Sequence, residues 1–554
     1  MNRNTQQRFA ENPVNLDMQR SKFDRSHGYK TTFNTGDLIP IYVDEILPGD
    51  TVTMNTSAVV RMATPLLPVM DNAYLDIYFF SVPCRLVWEH WREFMGENRT
   101  TFWEQQTEYV IPQITAPTGG WAKGTIADYM GLPTLVEGIS VSALYFRAYG
   151  LIWNEWFRDE NLQDPIMINL DETTQTGSNG TNYITDCQLG GMPAKAAKFH
   201  DYFTSALPEP QKGPEVTIPL GTSAPVRTSK NQNTYTSDPA LNFYGLDNWE
   251  ASSYHLLYGY KGPAGDTPEI VLRGAKSTAT NPNGSTNLAP SNLYADLTLA
   301  TSATINALRQ AFAIQRLYEK DARGGTRYIE VIKTHFGVTS PDARLQRPEY
   351  LGGFRKRIEM DQVVQTSATN STTPQGNVSA YSLTGMNEYC FTKSFVEHEI
   401  LIGLAVVRTD LTYQQGINRM WSRKTRLDYY WPSLANIGEQ EILNKEIYAQ
   451  GNNKDNLVFG YQERYAEYRY YPSLVTSSMR SNYQTSLDAY HYAQDYDALP
   501  TLSAGWITQG REEVNRTIAV QDQVEDQFIA DFQFTSEWAR PMPLYSIPGL
   551  IDHH

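Results

Sequence analysis

Residues 61–97 read RMATPLLPVMDNAYLDIYFFSVPCRLVWEHWREFMGE. A proline-bounded loop leads into residues 74–82, an aromatic and β-branched run that stops at Pro83. That composition predicts a strand. Past the proline the period changes. From about Leu86, Val87, Trp91 and Phe94 fall at i, i+4 and i+7, and Gly96 closes the run, which predicts a helix. Its apolar stripe reads as core packing and implies no ligand.

Working outward, residues 50–62 are Thr/Val-rich after a Pro48-Gly49 turn and predict another strand. Residues 1–36 are polar, with Arg3, Arg8, Arg20, Lys22 and Arg25 scattered along them, and read as an extended arm. Residues 144–159 carry Tyr145, Tyr149, Ile152 and Trp156 on one helical face. From about 220 to 291 the apolar period fades into Gly, Pro, Ser, Thr and Asn, as in GTSAPVRTSKNQNTYTSDP, with islands at 256–260 and 270–272. Such a long stretch predicts an ordered surface insertion, placed at 222–291. Helices are expected at 303–320, lined by Ile305, Leu308 and Phe312, and at 328–336 before Gly337. A further Ser/Thr/Asn/Gly loop is expected at 366–386. Residues 400–408 are nearly unbroken apolar, which predicts a strand buried on both faces. Phe528, Ala530, Phe532 and Phe534 alternate with Ile529, Asp531, Gln533 and Thr535, a period-two strand with one aromatic face. Strands at both ends with insertions between disfavour a doubly wound parallel sheet. A mainly β sandwich or jelly roll with large excursions fits better.

The chain has 554 residues, 41% hydrophobic and 12% aromatic, enough for a large core. Charged residues are only 19%. A skin poor in charge and rich in Tyr suits either a surface covered by copies of itself or a polar extracellular β protein. The net charge of −15 argues against direct coating of nucleic acid over a whole face. Packaged nucleic acid would need local basic patches, cations or a separate basic protein. Cys84, Cys187 and Cys390 form no CxxC pair, so neither a disulfide framework nor a zinc site is expected. The polar start MNRNTQQRFAENP contains no secretory signal, and the longest apolar run is far short of a membrane helix. A soluble chain with no membrane insertion is expected.

Catalytic patterns fail in turn. No G-x-S-x-G occurs, and RGAKST at 273–278 lacks the glycines of a phosphate loop. His553-His554 reads as a solvated tail, and His398 as a satisfied core or interface histidine. No catalytic residue, metal or cofactor is expected. Two basic clusters carry more interest. Arg344, Arg347, Arg355, Lys356 and Arg357 surround Gly352-Gly353. Arg419, Arg423, Lys424 and Arg426 interleave with Trp421, Tyr429, Tyr430 and Trp431. Cations beside aromatics suit single-stranded nucleic acid, because bases stack on rings while phosphates meet Arg and Lys. The plainer reading is a solvated face or a set of intersubunit ion pairs. Tyrosine is abundant, with 35 copies. Tyr461, Tyr465, Tyr468, Tyr490, Tyr492 and Tyr496 are candidates for subunit contacts, since Tyr offers broad area with few rotors to freeze.

Several long runs, in order, resemble the major capsid protein of microviruses, the gokushovirus branch in particular. They are residues 61–97, SHGYKTTFNTGDLIPIYVDEILPGDT (26–51), HDYFTSALPEPQKGP (200–214), ARGGTRYIEVIKTHFGVTSPDARLQRPEYLGG (322–353), FGYQERYAEYRY (459–470), DQFIADF (526–532) and MPLYSIPGLIDHH (542–554). The resemblance implies an eight-stranded antiparallel jelly roll with long helical and loop insertions. It implies self-assembly on the smallest (T=1) icosahedral lattice around circular single-stranded DNA, in the cytoplasm of a bacterial host. It also implies an internal scaffolding protein, a small basic DNA-binding protein and a DNA pilot protein as partners. Residues 222–291 would correspond to a threefold protrusion that meets a host surface receptor. Independent of the resemblance, a carbohydrate-binding or glycoside-cleaving β-sandwich remains the alternative.

Overall fold

The computed structural model describes residues 20–97, 108–214, 216, 305–342 and 346–545, with short strands between 226 and 295. The chain divides into two compact units: Met1–Lys212 with Glu319–His554, and Gly213–Tyr318.

The larger unit is built on two antiparallel sheets. Their strands are β1 (Ser21–Asp24), β2 (His27–Phe33), β3 (Ile39–Ile46), β4 (Thr51–Met62), β5 (Ala73–Pro83), β6 (Glu349–Arg357), β7 (Thr384–Ser394), β8 (Glu399–Thr409) and β9 (Phe528–Arg540). The first sheet runs β1-β9-β4-β7, with β2 also on β9. β1 pairs the C-terminal half of β9 and β2 its N-terminal half, so the two form one interrupted edge strand. The second sheet runs β6-β5-β8-β3.

Side-chain alternation explains the layering. In β9 the even-numbered aromatics Phe528, Phe532, Phe534 and Trp538 are fully buried, while Ile529 and its odd-numbered neighbours face outward. The inner faces of both sheets share one core, including Phe33, Val52, Met54, Val60, Ile77, Phe79, Leu401, Val407 and Phe534. Phe534 meets Tyr42 edge-on at 5.1 Å and Phe79 at 6.3 Å. The second sheet is covered on its far face as well. There Phe80, Val82, Ile400, Ile402, Leu404 and Val406 pack on Val87, Trp88, Trp121, Phe146, Tyr149 and Trp153. This double cover is why β8 is an unbroken apolar run while β9 alternates.

The covering layer centres on helix α1 (Leu144–Ile152), which passes into a π turn at Trp153–Phe157. Tyr149 at its centre donates to Leu38 O at 2.8 Å and accepts from the Ala194 amide. The helix expected from Leu86 is much shorter. A 3-10 turn spans Cys84–Leu86 and a single helical turn spans Trp91–Phe94. Val87 and Trp88, between the two turns, are both fully buried against the second sheet.

Helices α2 (Ile305–Gly324) and α3 (Tyr328–Phe336) form near the expected positions, with Phe312 of the expected α2 stripe 65% exposed, and Gly337 ends α3 at φ +70°. The loop expected at 366–386 is narrower. Met360–Val364 pairs with Val378–Ser382, and β7 begins at Thr384. Of the arm expected at 1–36, residues 1–19 lie outside the described residues. The remainder enters the sheet as β1 and β2, because its alternating side chains pair along β9.

In the second unit, three short antiparallel pairs are described: Val226–Thr228 with Leu293–Ala295, Phe243–Gly245 with Leu288–Pro290, and His255–Lys261 with Ile270–Lys276. The apolar islands at 256–260 and 270–272 lie on the last pair.

Candidate assembly and nucleic-acid surfaces

The basic–aromatic segment after β8 forms a shelf of short 3-10 turns at Arg419–Ser422, Arg426–Asp428 and Pro432–Leu434. Local chemistry sets each turn. The Asn418 side chain accepts from the Met420 amide at 3.0 Å. The Asp428 carboxylate accepts from the Lys424 and Thr425 amides, both at 2.7 Å, and these bonds hold its pKa below the usual value. Pro432 opens the third turn. Trp421 stays 76% exposed, and Leu427, Tyr429 and Tyr430 are exposed beside it.

The cations of the shelf divide into two groups. Arg419 pairs with Glu446 at 3.0 Å. Arg423 pairs with Glu467 at 3.3 Å and lies 4.2 Å over the Tyr468 ring. Both are largely buried and serve this subunit. Arg426 lies 4.6 Å over Trp431, and it and Lys424 are exposed with no ion pair among the described residues. Beside the shelf is a cleft of about 320 Å³ bordered by Tyr202, Tyr413, Trp421, Tyr470 and Arg480.

The other basic cluster divides in the same way. Arg344 lies outside the described residues. Arg347 pairs with Asp342 at 2.9 Å and covers the Trp156 ring at 4.2 Å. Arg355 is held by Asp76, and Lys356 reaches Glu359 at 3.5 Å. Arg357 is exposed, with no ion pair among the described residues.

The tyrosines are less uniform than expected. Tyr468 is exposed, and Tyr461, Tyr490 and Tyr496 are half-buried. Tyr465 and Tyr492 are 3% and 2% exposed, which corrects their reading as contact residues. Their rings are consumed inside the subunit: Tyr492 belongs to the intersheet core, and Tyr465 packs edge-on against Tyr430 at 5.1 Å. Sequence reasoning missed Asp201, which accepts from Tyr413 at 2.5 Å and Tyr470 at 3.3 Å and so ties the aromatic cleft together. It also missed Asp76, whose signal was a lone charge within AYLDIYFF.

Among the described residues, no group of three or more His, Cys, Asp or Glu could hold a metal ion. No described helix is long and apolar enough to cross a membrane. Cys84, Cys187 and Cys390 are buried free thiols, and burial pushes the first two up to about 12. Buried, protonated thiols are poor nucleophiles.

The sequence pattern of the family described as capsid protein (F protein) matches residues 14–550. Capsid protein VP1 of Bdellovibrio phage phiMH2K is 45% identical over 550 residues, covering 99% of this chain and 98% of the relative. VP1 of Spiroplasma virus 4 is 44% identical over 535 residues, covering 96% and 95%. VP1 of Chlamydia phage 1 is 42% identical over 589 residues, covering 98% and 97%. Similarity of this depth over whole chains sets aside the carbohydrate-active alternative. The chain belongs to the capsid protein (F protein) family of small single-stranded DNA phages, as a structural component of the virion and not an enzyme.

Proposed function

We propose that this subunit is a viral jelly roll that closes into a T=1 icosahedral shell around circular single-stranded DNA. The strand order carries the reading. With β1 and β2 taken as one strand, the sheets run first-eighth-third-sixth and second-seventh-fourth-fifth in chain order. Neighbours in space are thus remote in sequence, as a jelly roll requires. The shelf supports assembly, because Trp421, Leu427 and Tyr430 stand exposed within one short segment. Apolar side chains concentrated in this way suit burial against another subunit. The exposed cations Arg357, Lys424 and Arg426 are the better candidates for DNA or neighbour contact, since the other described cations of both clusters already meet carboxylates. A small basic DNA-binding protein would supply the neutralisation that a −15 subunit lacks. Internal scaffolding and DNA pilot proteins complete the proposed partners.

Residues 222–291 are proposed as the surface protrusion that meets a host receptor. Their place within a separate compact unit, Gly213–Tyr318, supports this. Electron microscopy of the purified protein tests the whole reading. Closed particles, or pentamer-like rings, are expected. A monomer that persists at high concentration in the presence of its basic and scaffolding partners would overturn it.

A further inference from the structure

Lys198, Gln494 and Glu513 form a buried row that shell formation does not explain. They are 6%, 2% and 9% exposed. Lys198 Nζ donates to Gln494 Oε1 at 2.9 Å. The Gln494 amide Nε2 donates to Glu513 Oε1 at 2.7 Å. Glu513 Oε2 is buried with no hydrogen-bond partner. The Trp506 ring lies 4.9 Å from the amine. Both backbones are pinned. The Lys198 amide donates to Ile507 O, and the Gln494 amide to Thr412 O, each at 2.8 Å. The Gln414 side chain donates to Gln494 O at 3.1 Å.

We infer that Lys198 and Gln494 join in an intramolecular isopeptide bond, with Glu513 moving the proton. A desolvated lysine against an aromatic wall is a competent nucleophile, and fixed proximity replaces an encounter. Burial lowers the Lys198 pKa against the pull of Glu513, Asp201 and Glu512, which favours the neutral amine. In the step, the Nζ lone pair attacks Gln494 Cδ and the carbonyl pair moves onto Oε1. The new N–C bond sheds one proton to Glu513, whose Oε2 is free to accept it. Glu513 returns a proton to Nε2, the old C–N bond breaks, ammonia leaves and the carbonyl reforms. One amide replaces another, and no oxidant or reductant is needed. The link would join residues 296 positions apart, tying the segment before Asp201 to the C-terminal third. Covalent closure of so long a loop stabilises chiefly by restricting the unfolded chain.

Intact-mass measurement of the purified full-length protein, unfolded after folding, tests the bond. The expected result is a mass lower than the sequence mass by one ammonia, with a branched peptide joining Lys198 to Gln494 after digestion. Glu513→Gln and Lys198→Arg should each restore the full mass. Wild-type protein that keeps its full mass after prolonged incubation overturns the inference. So does a deficit that maps elsewhere, such as a succinimide at Asn283-Gly284. If the variants do not fold, the presence or absence of the branched wild-type peptide decides.

Discussion

Arg355 and Asp76 are register partners on β6 and β5, and the guanidinium holds the carboxylate with two hydrogen bonds, at 2.5 and 3.2 Å. Asp76 is 1% exposed. Arg408, from β8 on the other side of β5, donates to the same carboxylate and to Tyr78 Oη at 2.8 Å. Phe199 lies near both guanidinium groups, at 4.5 and 4.4 Å. One acid thus pairs with cations from two neighbouring strands, and Arg355 is committed to the sheet.

Removing that acid should therefore cost more than removing an exposed one. Asp76→Ala leaves the largely buried Arg408 without its carboxylate, while the half-exposed Arg355 keeps access to water. A loss of about 3–5 kcal/mol is expected. Denaturant unfolding of the subunit measures it, and a loss near that of a surface substitution would refute the assignment.

The intersheet core offers a second test. Phe534 is fully buried between the sheets, against Tyr42 and Phe79. Phe534→Ala should destabilise by about 3–5 kcal/mol, with a lowered unfolding midpoint. Ile529, 45% exposed on the opposite face of the same strand, should tolerate Ile529→Thr with a change within about 0.5 kcal/mol.

A glycine makes a sharper point about sheet geometry. A Cβ on Gly353 would stand 2.1 Å from the Ile77 carbonyl oxygen on the neighbouring strand. Backbone cannot yield as a flexible side chain can. Gly353→Ala should separate β6 from β5 and destabilise by about 1–3 kcal/mol. Unfolding that matches wild type would show that the strands can part without cost.

How much of this was legible follows from what each residue had to satisfy. β8 and β9 were readable because every position reports its face: Ile400 to Val407 meets a core on both sides, and Phe528 to Phe534 meets one on a single side. The helix expected from Leu86 breaks between Leu86 and Trp91, and the spacing of Val87, Trp91 and Phe94 carries no mark of that break. β1 and β2 were hidden in a polar arm because their partner, β9, lies some five hundred positions away. The clusters of basic residues were visible as composition. Which cations were free was not, since Glu446, Glu467 and Asp76 reach them only through the fold.

Glu399 gives the fold a pH dependence with a definite sign. It begins β8, 9% exposed, and burial raises its carboxyl to about 7, with the Glu397 and Glu349 charges adding and Ser81 and Lys393 opposing. The folded value lies above the unfolded value of 4.5, so the folded state holds the proton more tightly. This group's contribution is complete below about 4.5 and is lost as pH rises through about 7. Gln resembles the protonated acid, so Glu399→Gln should be less sensitive to pH across that window. Chemical denaturation at a series of pH values would test this, and parallel curves for the two proteins would reject it.

The two classes of cation should separate genome contact from stability. Lys424 and Arg426 are exposed beside open aromatic rings, whereas Arg419 and Arg423 are locked to Glu446 and Glu467. Replacing both members of the exposed pair by Gln should leave subunit unfolding within about 0.5 kcal/mol of wild type. If they meet phosphates, the salt dependence of single-stranded DNA binding should weaken by about 0.7 per cation removed. Arg423→Gln should act the other way, lowering stability because Glu467 is left largely buried without its closest cation partner. Titrations at several salt concentrations, with unfolding curves on the same preparations, distinguish the two. An unchanged salt slope for the double variant would transfer these residues from the genome to a neighbouring subunit. In that case particle yield, and not DNA affinity, would be the property that falls.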